Sequence, residues 1–141
     1  MKKAAIILIL LILTSCSTYT VTPEQLKEQF MAAGEGMDTV KVNNSLFRFS
    51  NITYTANHLK KITVLDKQGL INYLDNSPSL EMRITQKNGK RQVMYFDTTE
   101  LRNDTLYGSN SRFLKTQRKV PFDSIAKIEI QDGGKKFSYK K

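Results

Sequence analysis

The sequence predicts a mainly β protein: a small bent antiparallel sheet or partly closed barrel with one short N-terminal helix. Three observations carry that expectation. Beyond residue 36, apolar side chains recur with a period of two, as in Leu80-Glu81-Met82-Arg83-Ile84. Turn-forming clusters punctuate those runs at Asp66-Lys67-Gln68-Gly69, Asn76-Ser77-Pro78, Lys87-Asn88-Gly89-Lys90 and Asp132-Gly133-Gly134. Helical spacing is confined to one short segment ahead of Gly34.

Taken in order, the chain opens on Lys2 and Lys3, continues through residues 4–13 without a polar side chain, and reaches small residues before Cys16. That order of charge, apolar run and cleavage site is the layout of a secretory signal. The apolar run is too short to span a bilayer, which takes about 20 residues, and no second candidate follows.

Leu13-Thr14-Ser15-Cys16 resembles the lipobox of bacterial lipoproteins, with Thr14 a looser match than the Ser or Ala common there. The resemblance implies cleavage before Cys16, diacylglycerol on its thiol and an acylated amine, so that the first partner is membrane lipid. Several acyl chains give a stable anchor where one gives reversible binding. Ser17 stands where, in that family, an Asp favours inner-membrane retention. The resemblance thus implies an envelope protein in the outer membrane, facing the periplasm. The chain divides accordingly into a signal at 1–15, a lipidated cysteine and tether at 16–22, and a single β-rich domain at 23–141.

Thr22 suits a helix N-cap, Pro23 the first helical position, and Gln25 the reciprocal place of a capping box. Leu26 and Phe30 share a face, and Gly34 and Gly36 supply the stop. Period-two runs follow at Val40 and Val42, at Phe47 and Phe49 against Arg48 and Ser50, and at Ile52 and Tyr54. Ile62, Val64 and Leu65 make another strand. Residues 70–74 read as strand or helical turn. Leu80, Met82 and Ile84 lead into the strongest hairpin signal, Asn88-Gly89, where both positions tolerate positive φ, and the return passes Val93, Met94, Tyr95 and Phe96. Further strands are expected at 105–108, at 113–120, around Ile128 and Ile130, and at Phe137 and Tyr139.

Residues 59–69 and 125–134 echo one another in apolar spacing and a closing glycine turn, which reads as two similar sheet halves or as the common grammar of a strand entering a hairpin. The later half, with its glycine hairpin, Asn103-Asp104-Thr105-Leu106 and the Val120 to Ile125 segment, resembles small bent-sheet barrels of Sm-like type. That resemblance implies a fold. The RNA binding that goes with it is set aside for an exported protein, so no nucleic acid is expected as a partner.

The chain has 141 residues and a formal net charge of +9, with one cysteine and one histidine. With Cys16 lipidated, no disulfide and no Cys-His nucleophile remain, and His58 alone excludes a multi-histidine metal site. No catalytic, cofactor or metal motif is read. Ser124-Ile125-Ala126-Lys127 has Ser-x-x-Lys spacing but enters a predicted strand, and Asp97 and Glu100 read as a solvated turn. Cations cluster as Lys87, Lys90 and Arg91 around one hairpin, as Lys115, Arg118 and Lys119 on a second segment, and as Lys135, Lys136, Lys140 and Lys141 at the end. The first six are the candidate groups for an anionic lipid or glycan. The functional expectation is a membrane-anchored, non-enzymatic envelope module that binds or scaffolds another envelope protein. The alternatives are a binder of an anionic envelope component, such as lipid phosphate or lipopolysaccharide, and a small hydrolase.

Overall fold

The computed structural model describes residues 17–44, 52–112, 114, 116–134 and 137–140. The lipobox with Cys16, the alternation of residues 47–50, Phe113, Lys115, Lys135, Lys136 and Lys141 lie outside the described residues.

Strand β1 (Thr18–Val21) occupies the segment read as a tether. Its residues are β-branched or aromatic, which suits a half-buried pleated surface better than a solvated linker. Helix α1 (Pro23–Ala33) follows with the expected box: Gln25 N donates to Thr22 Oγ1 at 3.2 Å, and Thr22 N donates to Gln25 Oε1 at 3.4 Å. Leu26 and Phe30 are buried, and Gly34 ends the helix at φ 85°.

The remaining strands are β2 (Met37–Asn44), β3 (Ile52–Asn57), β4 (Lys61–Leu65), β5 (Ile71–Asp75), β6 (Leu80–Gln86), β7 (Arg91–Tyr95), β8 (Glu100–Arg102), β9 (Thr105–Gly108), β10 (Arg118–Pro121), β11 (Ile125–Asp132) and β12 (Phe137–Tyr139). Short 3-10 turns at Phe96–Thr98 and Phe122–Ser124 link β7 to β8 and β10 to β11. The ambiguous 70–74 segment is strand. The strand expected over 113–120 is assigned only from Arg118. The two hairpins divide their turn chemistry unexpectedly. At Asn88-Gly89 only the glycine takes positive φ, whereas Asn103 and Asp104 both do, at 46° and 53°, forming the two-residue turn between β8 and β9.

The strands form three antiparallel sheets ordered β5-β4-β1-β11-β6-β7, β10-β9-β8 and β12-β2-β3. This corrects the expectation of a barrel, because the six-stranded sheet ends on two edges, β5 and β7, and does not close. The physical reason is that helix α1 and the β8–β10 sheet cover its inner face, so it buries its apolar side chains without closing on itself. Among the described residues Thr20 and Leu65 are the one register pair across β1 and β4, and past the end of β1 the Gln29 carboxamide bonds to the β4 backbone. Its Nε2 donates to Thr63 O at 3.1 Å and its Oε1 accepts from Thr63 N at 2.7 Å. The two sequence-echo strands, β4 and β11, flank β1. Among the described residues no helix is long and apolar enough to cross a membrane.

The inner face of the six-stranded sheet carries Val21, Ile62, Val64, Leu80, Met82, Ile84, Met94, Ile128 and Ile130, all buried in one cluster with Leu26 and Phe30 of α1. Leu106 and Val120 from the β8–β10 sheet close it from another side, and the Phe30 and Phe96 rings meet at 6.1 Å. Val93 and Tyr95 alternate away from this core, so the return strand buries Gln92 and Met94 and hands Phe96 inward at the 3-10 turn.

Candidate functional site

Among the described residues, the most concentrated chemistry is a polar cluster joining all three sheets. Asp97, in the 3-10 turn after β7, is fully buried, and its carboxylate receives four hydrogen bonds. Arg112 Nη2 donates to Oδ1 at 2.9 Å and Nη1 to Oδ2 at 3.2 Å, while Tyr54 (β3) and Tyr139 (β12) donate their hydroxyls to Oδ2 at 2.5 and 2.9 Å. The Arg112 side chain is 3% exposed, its Nη2 also donates to the Pro78 carbonyl, and its guanidinium stacks 4.3 Å from the Tyr54 ring and 4.1 Å from the Tyr95 ring. A planar bidentate fork suits Arg and not Lys here, because the flat guanidinium stacks on two rings while both terminal nitrogens donate. Burial, and then the adjacent Asp97 charge, push both tyrosine hydroxyls well above the ordinary phenol range. A neutral tyrosine is what the carboxylate requires as donor.

A second polar joint lies alongside. The buried Asn57 carboxamide at the end of β3 donates to Phe96 O at 2.9 Å and Thr99 O at 3.1 Å, and accepts from Asn76 Nδ2 at 2.8 Å. Together these contacts lock β3 against the 3-10 turn.

Two clefts border these joints. One, of about 460 Å³, runs beside β3 and is lined by Thr53, Tyr54, Thr55, Ser109, Arg112 and Leu114, among others. Among the described residues β3 is the terminal strand of its sheet, and Thr53 and Thr55 are exposed. The other, about 470 Å³, lies between the end of α1 and β8 and includes Lys27, Phe30, His58 and Glu100. In it His58 Nε2 stands 3.2 Å from Asp38 Oδ1.

The residues singled out in the sequence scatter over this frame. Lys87, Lys90 and Arg91 come together at the exposed β6–β7 turn. Arg118 and Lys119 are successive in β10, so they point to opposite faces of it. Arg118 shares a shallow cleft with Glu81, Val93 and Tyr95, whereas Lys119 stands opposite Tyr107. Ser124 Oγ donates to Pro121 O at 2.6 Å, and Lys127 Nζ is held by Glu129 at 2.9 Å, so neither is directed at the other. Asp97 and Glu100 also part company: Asp97 is committed to Arg112, and Glu100 pairs with Arg102 at 3.2 Å. Asp97 is thus the correction to the solvated turn read at 97–100. Among the described residues no group of three or more His, Cys, Asp or Glu side chains could hold a metal ion. Tyr54, Arg112 and Tyr139 carried no signal in the sequence, since each meets Asp97 only across the fold.

The fold and its joints define a mainly β protein of three antiparallel sheets pinned by a buried Asp-Arg-Tyr-Tyr cluster. No family model, curated protein or solved structure matches the chain, so neither the lipoprotein nor the Sm-like resemblance gains support from that direction.

Proposed function

We propose that the chain is a non-enzymatic lipoprotein of the bacterial envelope, anchored through acylated Cys16 in the outer membrane, facing the periplasm, and that it binds a protein partner. The observation that carries the binding reading is the cleft of about 460 Å³ beside the terminal strand β3. An open strand edge offers a row of backbone donors and acceptors to an extended segment, and the adjoining cleft gives that segment's side chains a place. The Asp97 cluster favours this use because it fixes Tyr54, in the middle of β3, so the edge is held in place before a partner arrives.

The test places a photo-crosslinking amino acid at Thr53 or Thr55 of the acylated protein in intact membranes, with Lys90 as a comparison position and Cys16→Ser as a second control. A dominant protein adduct from the β3 positions, weak from position 90 and lost in Cys16→Ser, is the expected result. Adducts no stronger than those at position 90 would remove β3 as the docking edge.

The assembly of Lys87, Lys90 and Arg91 at one turn favours a second reading, the binding of an anionic envelope component. It predicts salt-sensitive binding that reversal of those three charges abolishes.

A further inference from the structure

Large apolar side chains stand exposed at Met31, Leu70, Ile71, Tyr73, Val93 and Leu114, and three of these belong to a single hairpin. Leu70, Ile71 and Tyr73 are 64%, 62% and 67% exposed at the start of edge strand β5. Ile71 and Tyr73 face away from the core, opposite half-buried Leu65 and Thr63 on β4, and with Leu65 they give the outer face of the hairpin an apolar character. An apolar face of this kind on a free edge needs a cover.

The position of the hairpin says what covers it. Ser17 and Thr18 line one small cleft with Asp66, Lys67, Gln68 and Asn72, so the chain enters the fold against the β4–β5 turn. Cys16 is the next residue, one Cα step of about 3.8 Å from Ser17. A lipid chain on Cys16 would therefore start one residue from the contact with the β4–β5 turn that leads into Leu70 and Ile71.

We infer that the β4–β5 hairpin is a lipid-contacting foot, with Leu70, Ile71 and Tyr73 seated in the interfacial layer of the membrane that holds Cys16. This rests on the lipoprotein reading. The charges at the foot are compatible with it. Lys67 is the cation of the turn. The neighbouring acid, Asp66, is turned inward: its carboxylate accepts from Gln68 N and Leu70 N, both at 2.9 Å, and from Asn72 Nδ2 at 3.1 Å. Those bonds hold its carboxyl below the usual range and satisfy the charge within the turn. The basic β6–β7 turn lies elsewhere. Thr18 aligns through Gln131 with Glu81, and β6 runs on from there to Gln86, about 17 Å at the usual rise per residue. The apolar foot, and not the cationic turn, meets the anchor's own leaflet.

The chain contains no tryptophan, so single Trp reporters can be read without background. Leu70→Trp, Tyr73→Trp and Lys90→Trp are introduced separately into the acylated protein. Intact mass establishes the lipid on Cys16, and each variant is reconstituted into phosphatidylethanolamine–phosphatidylglycerol vesicles containing brominated lipid. Blue-shifted, bromine-quenched emission at positions 70 and 73, with position 90 unquenched, is expected. Unquenched emission at 70 and 73 in acylated, vesicle-bound protein would overturn the foot while leaving the anchor intact, as would equal quenching at 90. An intact mass without lipid on Cys16 would sink the anchor, and the foot with it.

Discussion

Arg112→Met tests whether the buried cluster holds the three sheets together. The substitution keeps an unbranched side chain beside the Tyr54 and Tyr95 rings, where a thioether still makes favourable aromatic contacts. What it removes is the partner of a carboxylate with no solvent exposure. Breaking a buried ion pair from one side costs about 3–5 kcal/mol, because the remaining charge stays desolvated. The two tyrosine donors remain, which places the expected loss near the lower end of that range. Domains have about 5–15 kcal/mol in all, so the variant loses a large share of its stability. At about 4 °C per kcal/mol, its Tm falls by about 12 °C or more. Urea unfolding of the Cys16→Ser background, followed by far-UV circular dichroism, measures the loss. Adding Asp97→Asn to Arg112→Met should recover part of it, since the second change removes the stranded charge. A loss below about 1 kcal/mol, the value of an exposed pair, would refute the reasoning, as would strictly additive effects of the two substitutions.

Alkaline pH should destabilise the fold: Tyr54 and Tyr139 ionise in the unfolded chain near pH 10 but at higher pH in the folded one, so their contribution is present below that pH and lost above it. Tyr54→Phe should flatten the decline in a pH series of urea midpoints. Gly108→Ala would place a Cβ 2.6 Å from Met94 Sδ and 2.9 Å from Thr99 Cγ2, and overpacking of that kind costs about 1–3 kcal/mol, read as a lower thermal midpoint. Gln29→Ala strips the Thr63 amide and carbonyl of their partners, and should cost about 1–3 kcal/mol and speed amide exchange at Thr63.

Local signals were legible and distant ones were not. The α1 start was readable because Thr22, Pro23 and Gln25 act within one turn, and the β6 face was readable because Leu80, Met82 and Ile84 alternate without interruption. Strand β1 escaped notice since four residues between a cysteine and a helix cap show too little alternation to set a period. Of the two forms expected, the bent sheet is the one present and the barrel is not, a choice the sequence left open because local patterning reports which face of a strand is buried, not which strand lies next to it. The Asp97 cluster lies at the far end of that scale. In the sequence Asp97 belongs to a polar run, Asp97-Thr98-Thr99-Glu100, whose composition suits a turn, and the turn is there. What makes it a joint is the arrival of Tyr54, Arg112 and Tyr139 from three other segments.

The place of β1 in the sheet has a consequence for the order of assembly. Tyr19 and Val21 lie opposite Ile130 and Ile128, so the first described strand finds its main neighbour more than a hundred residues further along the chain. Until Ile125–Asp132 has emerged, the one register partner for β1 among the described residues is Leu65, opposite Thr20. Closing so long a loop is slow and must precede the contacts that reward it. A chain emerging N-terminus first therefore leaves Thr18–Val21 without its main strand partner until the last part of the sheet arrives.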